Sequence, residues 1–209
     1  MQAPGGVVGG IPAALERMAP GDHGLVFGPA SYTPLLVELL MARAAGMGFQ
    51  LLLVHAGLRE DEIAAQLERV PGGRDALHAG KVALLGGEGL AVLRRGLAKE
   101  GPAALAPLQV AAERLGFRGL FLCILHADGA SPELEAAEAA ISARLGPGLA
   151  VQCVYPSPPA ARDAALRVLR AHTPGRMVMP AVWRLAERGA LPSEPLAEDV
   201  EPQRNALAV

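Results

Sequence analysis

Five short apolar runs, each followed by a segment with helical apolar spacing, constrain the fold of this 209-residue chain more than any other feature. The runs are Leu25–Phe27, Gln50–Val54, Val82–Leu85, Leu120–Leu125 and Leu149–Tyr155. The helical segments are Tyr32–Ala45, Glu60–Val70, Leu90–Ala98 with Leu105–Leu115, Pro132–Leu145 and Ala160–Ala171. Parallel strands need a long crossover between them, and a helix is the usual one. The alternation therefore predicts a three-layer α/β fold, a mostly parallel sheet with helices on both faces. Three runs, QLLLV, LFLCIL and LAVQCVY, are apolar almost without a break. Strands covered on both faces read that way, so these three are expected at the centre of the sheet.

Helix punctuation agrees with this pattern. Ser131-Pro132-Glu133 sets a capping residue before a proline at the first helical position, and Gly46, Gly116 and Gly146 stand where helices should stop. The rhythm fills residues 20–190, expected to be a single domain. Residues 1–19 are expected to be a flexible N-terminal segment, and the Pro- and acid-rich residues 191–209 a disordered tail. After Thr173-Pro174, the stretch MVMPAVWRLAERG reads as a last short strand and a helix carrying Trp183.

Composition narrows the partners. A formal charge of −2, with no cluster of Lys and Arg among aromatics, gives no electrostatic footprint for direct nucleic-acid binding. The apolar runs are interrupted within about 10 residues, short of the ~20 that a membrane-spanning helix needs, so no membrane partner is expected. The start MQAPGGVVGGIP lacks a basic stretch followed by an apolar core, and no secretory leader is expected. Cys123 and Cys153 are the only cysteines and both lie inside apolar runs, as buried thiols in a reducing cytoplasm would.

In open parallel sheets ligands bind beyond the carboxyl ends of the strands. The residues expected there, and so the candidate pocket, are Ser31, Tyr32, His55, Glu88, His126, Asp128 and Tyr155. Each also has a structural reading. His55 and His126 can cap their strands by hydrogen bonding to nearby backbone, Tyr155 can be a buried ring with one satisfied hydroxyl, and Asp128 can be a turn residue before the Ser131 cap. The turn Gly28–Pro34 occupies the place of a nucleotide-binding P-loop but contains no Lys to neutralise a phosphate. Without it, Asp128 would have no phosphate-bound magnesium to hold, and hydrolysis of a nucleotide is not expected.

Other chemistries are poorly supplied. Ser31, His126 and Asp128 are the residue types of an acyl-transfer triad, but GPASYT is not the Gly-x-Ser-x-Gly elbow that exposes a nucleophile. Gly86–Gly89 can start a helix and attract an anion, although Glu88 opposes one, and a plain βα turn explains the glycines. Cys123 and His126 are the one local hint of a metal site, and their spacing of three puts them on opposite faces of a strand. No cofactor or metal is therefore expected. The pair Asp22-His23 enters the first core strand, where a desolvated charge needs a local partner.

The order and spacing of several short segments resemble the MEDS family, the methanogen/methylotroph sensory domain, a relative of RecA-like ATPase cores without a P-loop. The segments are GDHGLVF at 21–27, QLLLV at 50–54, ALHAGKVALL at 76–85, ERLGFRGLFL at 113–122, VQCVYP at 151–156 and VLRAH at 168–172. The resemblance covers roughly residues 20–180 and carries over Asp22, His23, Glu138, Cys153, Tyr155 and His172. It implies a regulatory domain that binds a small, hydrocarbon-derived molecule or docks with signalling proteins. The chain departs from the family pattern in having GGEGLAVLRRG and HADGASPE where aromatics are usual; if those aromatics line the ligand pocket, the departure implies either a different ligand or a vestigial pocket.

Neither end is expected to carry a helix-turn-helix, so output through another protein is expected. The resulting expectation is a non-catalytic sensory or adaptor domain acting in regulation, with a protein partner, a small-molecule ligand, or both. Two alternatives stand beside it. One is a structural protein whose Ala-rich helices form homo-oligomers or hetero-oligomers, with Leu35–Ala45 and the region of Trp183 as the exposed surface. The other is an enzyme that uses His55, His126 and Tyr155 as proton donors and acceptors.

Overall fold

A computed structural model describes residues 10–27, 33–126, 141–142, 145–156, 172–173 and 177–178. Each apolar run becomes a strand: β1 His23–Phe27, β2 Phe49–His55, β3 Val82–Leu85, β4 Gly119–Leu125 and β5 Leu149–Tyr155. A two-residue strand, β6 Met177–Val178, completes a sheet whose order among the described residues is β3-β2-β4-β5-β1-β6. Every pairing is parallel. The fold is three-layer α/β with a parallel sheet, and β2, β4 and β5, the three continuously apolar runs, are all interior.

Parallel register puts alternate residues on opposite faces, and the two faces bury separate cores. On one face, Leu52, Val54, Leu120, Leu122, Ile124, Val151, Cys153 and Tyr155 pack beneath α5 Gly87–Glu100, a 3-10 turn Gly101–Leu105 and α6 Ala106–Arg114. Leu90, Leu93 and Leu97 supply the helical stripe, at the spacing of one helix face. On the other face, Leu51, Leu53, Phe121, Cys123 and Leu125 pack beneath α2 Thr33–Met47, α3 Glu60–Leu67 and α4 Gly73–His78. There α2 contributes Leu36, Val37, Leu40, Ala44 and Met47.

Several details differ from the sequence expectations. Residues 10–19 are not a loose segment: α1 Gly10–Glu16 is helical, and Ala14, Leu15 and Met18 are buried against α2 and β1. The physical cause is the apolar pair Ala14-Leu15 with Met18, which the Gly- and Pro-rich start of the chain masks in a window average. Helix α2 runs through Gly46 and ends at Gly48, which sits at φ +71, a conformation that costs a side-chain-bearing residue roughly 1–2 kcal/mol. The expected helix Glu60–Val70 is shorter, and the separate α4 follows it. The apolar face of Leu35–Ala45, offered as a partner surface, is the face that covers the sheet. Among the described residues, the exposed large apolar ones are Val92, Val110 and Leu115. Of the helix expected over Pro132–Leu145 only Ile141 and Ser142, which are helical, and Leu145, which is not, are described; its other residues, the helix expected over Ala160–Ala171, Trp183 and the tail lie outside the described residues.

Candidate functional site

Crossovers change side at the middle of the sheet, which creates the crevice where ligands usually sit. The helices after β1 and β2 cover one face, whereas those after β3 cover the other, as does helical Ile141 after β4. His55 ends β2 and His126 follows β4, on either side of the resulting boundary.

The expected strand-end row resolves into parts that do different things. His55 is half-buried, and its Nδ1 accepts a hydrogen bond from the Gly57 amide at 3.1 Å. Burial lowers its pKa, because charging the ring there would cost solvation. Its alternation places it on the face with Leu51 and Leu53, away from His126. Glu88 is exposed in the first turn of α5, and Gly86 and Gly87 pack against the loop after β2. A Cβ on Gly87 would come within 2.9 Å of the Ala56 carbonyl oxygen, and the Gly87 amide donates to Leu58 at 2.9 Å. Close backbone packing accounts for both glycines. Ser31, Tyr32, Asp128 and Glu138 lie outside the described residues.

Two expected residues do meet. The His126 ring stacks on Tyr155 with centroids 4.1 Å apart and planes 7° from parallel, and Phe27 lies 5.8 Å from the other ring. Tyr155 is fully buried and His126 nearly so. Cys123, by contrast, belongs to the opposite core, and burial in apolar surroundings pushes its thiol pKa far up. Cys123 and His126 therefore face away from each other.

A second cluster lies one step along the same face. In the register β1–β5, Leu25 opposes Cys153, so His23 and Cys153 project from one face two residues out of step. His23 Nε2 lies 3.2 Å from Cys153 Sγ, although the residues are 130 apart in sequence. Its Nδ1 lies 2.5 Å from Ser142 Oγ. The His172 ring packs on that of His23 at 4.1 Å between centroids, tilted by 41°. Thr173 fixes this approach from both sides: the His23 amide donates to Thr173 Oγ1, and the Thr173 amide donates to the His23 carbonyl oxygen, each at 2.8 Å. Donor atoms of His23, Cys153 and His172 all fall within 4.8 Å of one another, and all three residues are buried.

Asp22 does a different job. Its carboxylate accepts a hydrogen bond from the Ala19 amide at 2.8 Å, closing the turn that leads from α1 into β1. The sequence grouped His23, Cys153 and His172 only through a family resemblance, and did not name Ser142 or Thr173 as site residues. Nothing local marks these five as neighbours. A Ser in a helix and a Thr before Pro174 have ordinary structural uses, and only tertiary packing brings them to His23.

A groove of about 460 Å³ opens at the opposite edge of the sheet, where β2 and β3 begin. It is lined mainly by Met41, Ala45, Phe49, Ala76, Val82 and Phe117, with Lys81 as its charge. No helix among the described residues is long and apolar enough to cross a membrane. No protein-family model matches the chain, and no curated protein matches it.

Proposed function

We propose that this chain is a non-catalytic sensory domain acting in regulation in the cytoplasm, which responds to a small ligand at the β1–β5 face and passes its state to a protein partner. The observation that carries this reading is the burial of the reactive groups there. His23, Cys153 and Tyr155 have no exposed surface, and His172 and His126 have only 4% and 7%. General acid–base catalysis needs such groups within hydrogen-bond reach of a substrate. These groups instead reach one another, through the His126–Tyr155 stack and the His23–Cys153 contact. A centre of this kind acts by changing how elements pack, and packed cores switch between discrete arrangements. The lysine-free turn at Gly28–Pro34 and the resemblance to MEDS domains support the same reading.

A thermal-shift screen against nucleotides and small apolar compounds, paired with a magnesium-dependent ATPase assay, tests it. A true ligand at 100 times its Kd stabilises by ~2.7 kcal/mol, or roughly 5–10 °C in a chain of this length. The expected result is a shift with a non-nucleotide compound and no hydrolysis. ATPase activity that disappears in Asp128→Asn would overturn the reading.

The amino-edge groove favours a second reading of where an apolar ligand sits, since its volume falls within the ~300–1,000 Å³ of small-molecule sites. Ala45→Trp would fill it. Loss of a compound's thermal shift in that variant assigns the ligand to the groove, and an unchanged shift assigns it elsewhere.

A further inference from the structure

We propose that His23, Cys153 and His172 bind a divalent metal ion of the zinc class, held in orientation by Ser142. This names the ligand of the face discussed above, and its regulatory meaning rests on that reading; the site itself does not.

Donor chemistry comes first. One thiolate and two imidazoles form a borderline-soft set that suits Zn²⁺ or Co²⁺, whereas Mg²⁺ and Ca²⁺ require oxygen ligands. Geometry is compatible with it. Bonds of ~2.3 Å to sulfur and ~2.05 Å to nitrogen around a tetrahedral ion separate ligand N from S by about 3.6 Å, and N from N by about 3.3 Å. The 3.2 Å between His23 Nε2 and Cys153 Sγ is close to that spacing, and the whole set lies within 4.8 Å. Small side-chain rotations complete the triangle.

The support around these donors is also that of a metal site. Ligating histidines usually give their second ring N–H to an outer partner, which fixes the tautomer and aims the other nitrogen. His23 has such a partner within reach: in the tautomer that carries its hydrogen on Nδ1, that N–H donates to Ser142 Oγ and the Nε2 lone pair faces Cys153. His23 and Cys153 stand on adjacent paired strands, and the two hydrogen bonds between Thr173 and the His23 backbone hold His172 in place. The ion would thus tie β1, β5, the helical residue Ser142 and the segment before β6. Its binding replaces the thiol proton, so one proton is released to solvent for each ion bound. Three protein donors leave a fourth position for water or a small exogenous ligand.

The test is a titration of the chelator-treated full-length chain with Co²⁺ alone, followed optically and by pH-stat, with zinc content measured separately by mass spectrometry. The expected result is one ion per chain, a thiolate-to-cobalt charge-transfer band in the near ultraviolet, and release of one proton. Cys153→Ser should abolish the band, and His172→Ala should weaken binding at least tenfold. Ser142→Ala, which leaves every donor in place, should weaken it roughly 10–100-fold. Cys123→Ala should retain the band, because Cys123 lies in the opposite core. If Cys153→Ser does not fold, the band in Cys123→Ala still assigns the thiolate to Cys153, the remaining cysteine. A wild-type chain with no charge-transfer band, or a band that persists in folded Cys153→Ser, overturns the site, whatever the ligand screen returns. A wild-type chain that shows the band yet hydrolyses ATP keeps the site and refutes the sensory reading.

Discussion

Truncating Tyr155 to alanine tests whether the candidate site and the hydrophobic core are one structure. The ring has no exposed surface and packs against both His126, stacked at 4.1 Å, and Phe27, tilted at 5.8 Å. A buried aromatic side chain removes ~150–250 Å² from water, which at ~25 cal/mol/Å² is about 4–6 kcal/mol. Alanine keeps the β-carbon share of that, and large aromatic-to-alanine changes in cores cost ~3–5 kcal/mol. The expected loss is therefore about 4 kcal/mol, a large part of the ~5–15 kcal/mol available to a domain. It corresponds to a fall in Tm of about 8–16 °C. Urea unfolding followed by far-ultraviolet circular dichroism measures it, with the m-value unchanged if the native fold survives. A double-mutant cycle with His126→Ala should give a coupling of about 0.5–1.5 kcal/mol for the stacked pair, beyond the area term. A loss below ~1 kcal/mol together with zero coupling would refute the argument, because the ring would then not pack against His126 and Phe27.

Other outcomes follow from single features. His55 has its folded-state pKa lowered by burial, so the unfolded chain binds more protons as pH falls. Its contribution is fully present above the unfolded value of ~6.5 and is lost as pH falls through that value toward the lower folded one. His55→Gln should flatten stability across that window, and an unchanged pH profile in parallel urea melts would contradict the assignment. Both thiols are buried, and burial pushes that of Cys123 strongly up. Neither should react quickly with a thiol-disulfide reagent in the native chain, while both react in guanidinium; one rapid equivalent before unfolding would refute this. At Gly119 an added Cβ would fall 2.5 Å from the Gly148 carbonyl oxygen and 2.8 Å from Phe49 Cε1. Gly119→Ala should cost about 1–3 kcal/mol by denaturant unfolding, since backbone cannot move aside as a flexible side chain can.

The fold was legible because its determinants are local in sequence. Apolar runs such as QLLLV and LFLCIL cannot be exposed on either face, and the helical stripes between them leave crossover as the consistent solution. Boundaries were less legible where a local signal competed with a tertiary one. Gly46 reads as a helix stop, yet the burial of Met47 against the sheet carries α2 through Gly46 to Met47, two residues past the expected end. Residues 10–19 read as a loose end because the Gly- and Pro-rich start of the chain runs into them, and the burial of Leu15 and Met18 appears only once α2 and β1 are present to receive them.

The site divides in the same way. That His126 and Tyr155 would fall near strand ends was readable from the apolar runs, and so was the separation of Cys123 from His126 by the two-residue period. Their stacking was not, because it depends on β4 pairing with β5 in a particular register, Leu125 opposite Val154.

Sequence by itself determined that the chain would bury five strands in a parallel sheet with helices on both sides, and that its first turn would lack a phosphate-neutralising lysine. Tertiary structure alone decided that β1 lies between β5 and β6. That order brings His23 to Cys153 across 130 residues and seats His172 on its ring. The reason is physical: burial is a property that each segment carries in its own composition, whereas the order of strands is a property of the whole sheet, and no residue records which neighbour it will meet.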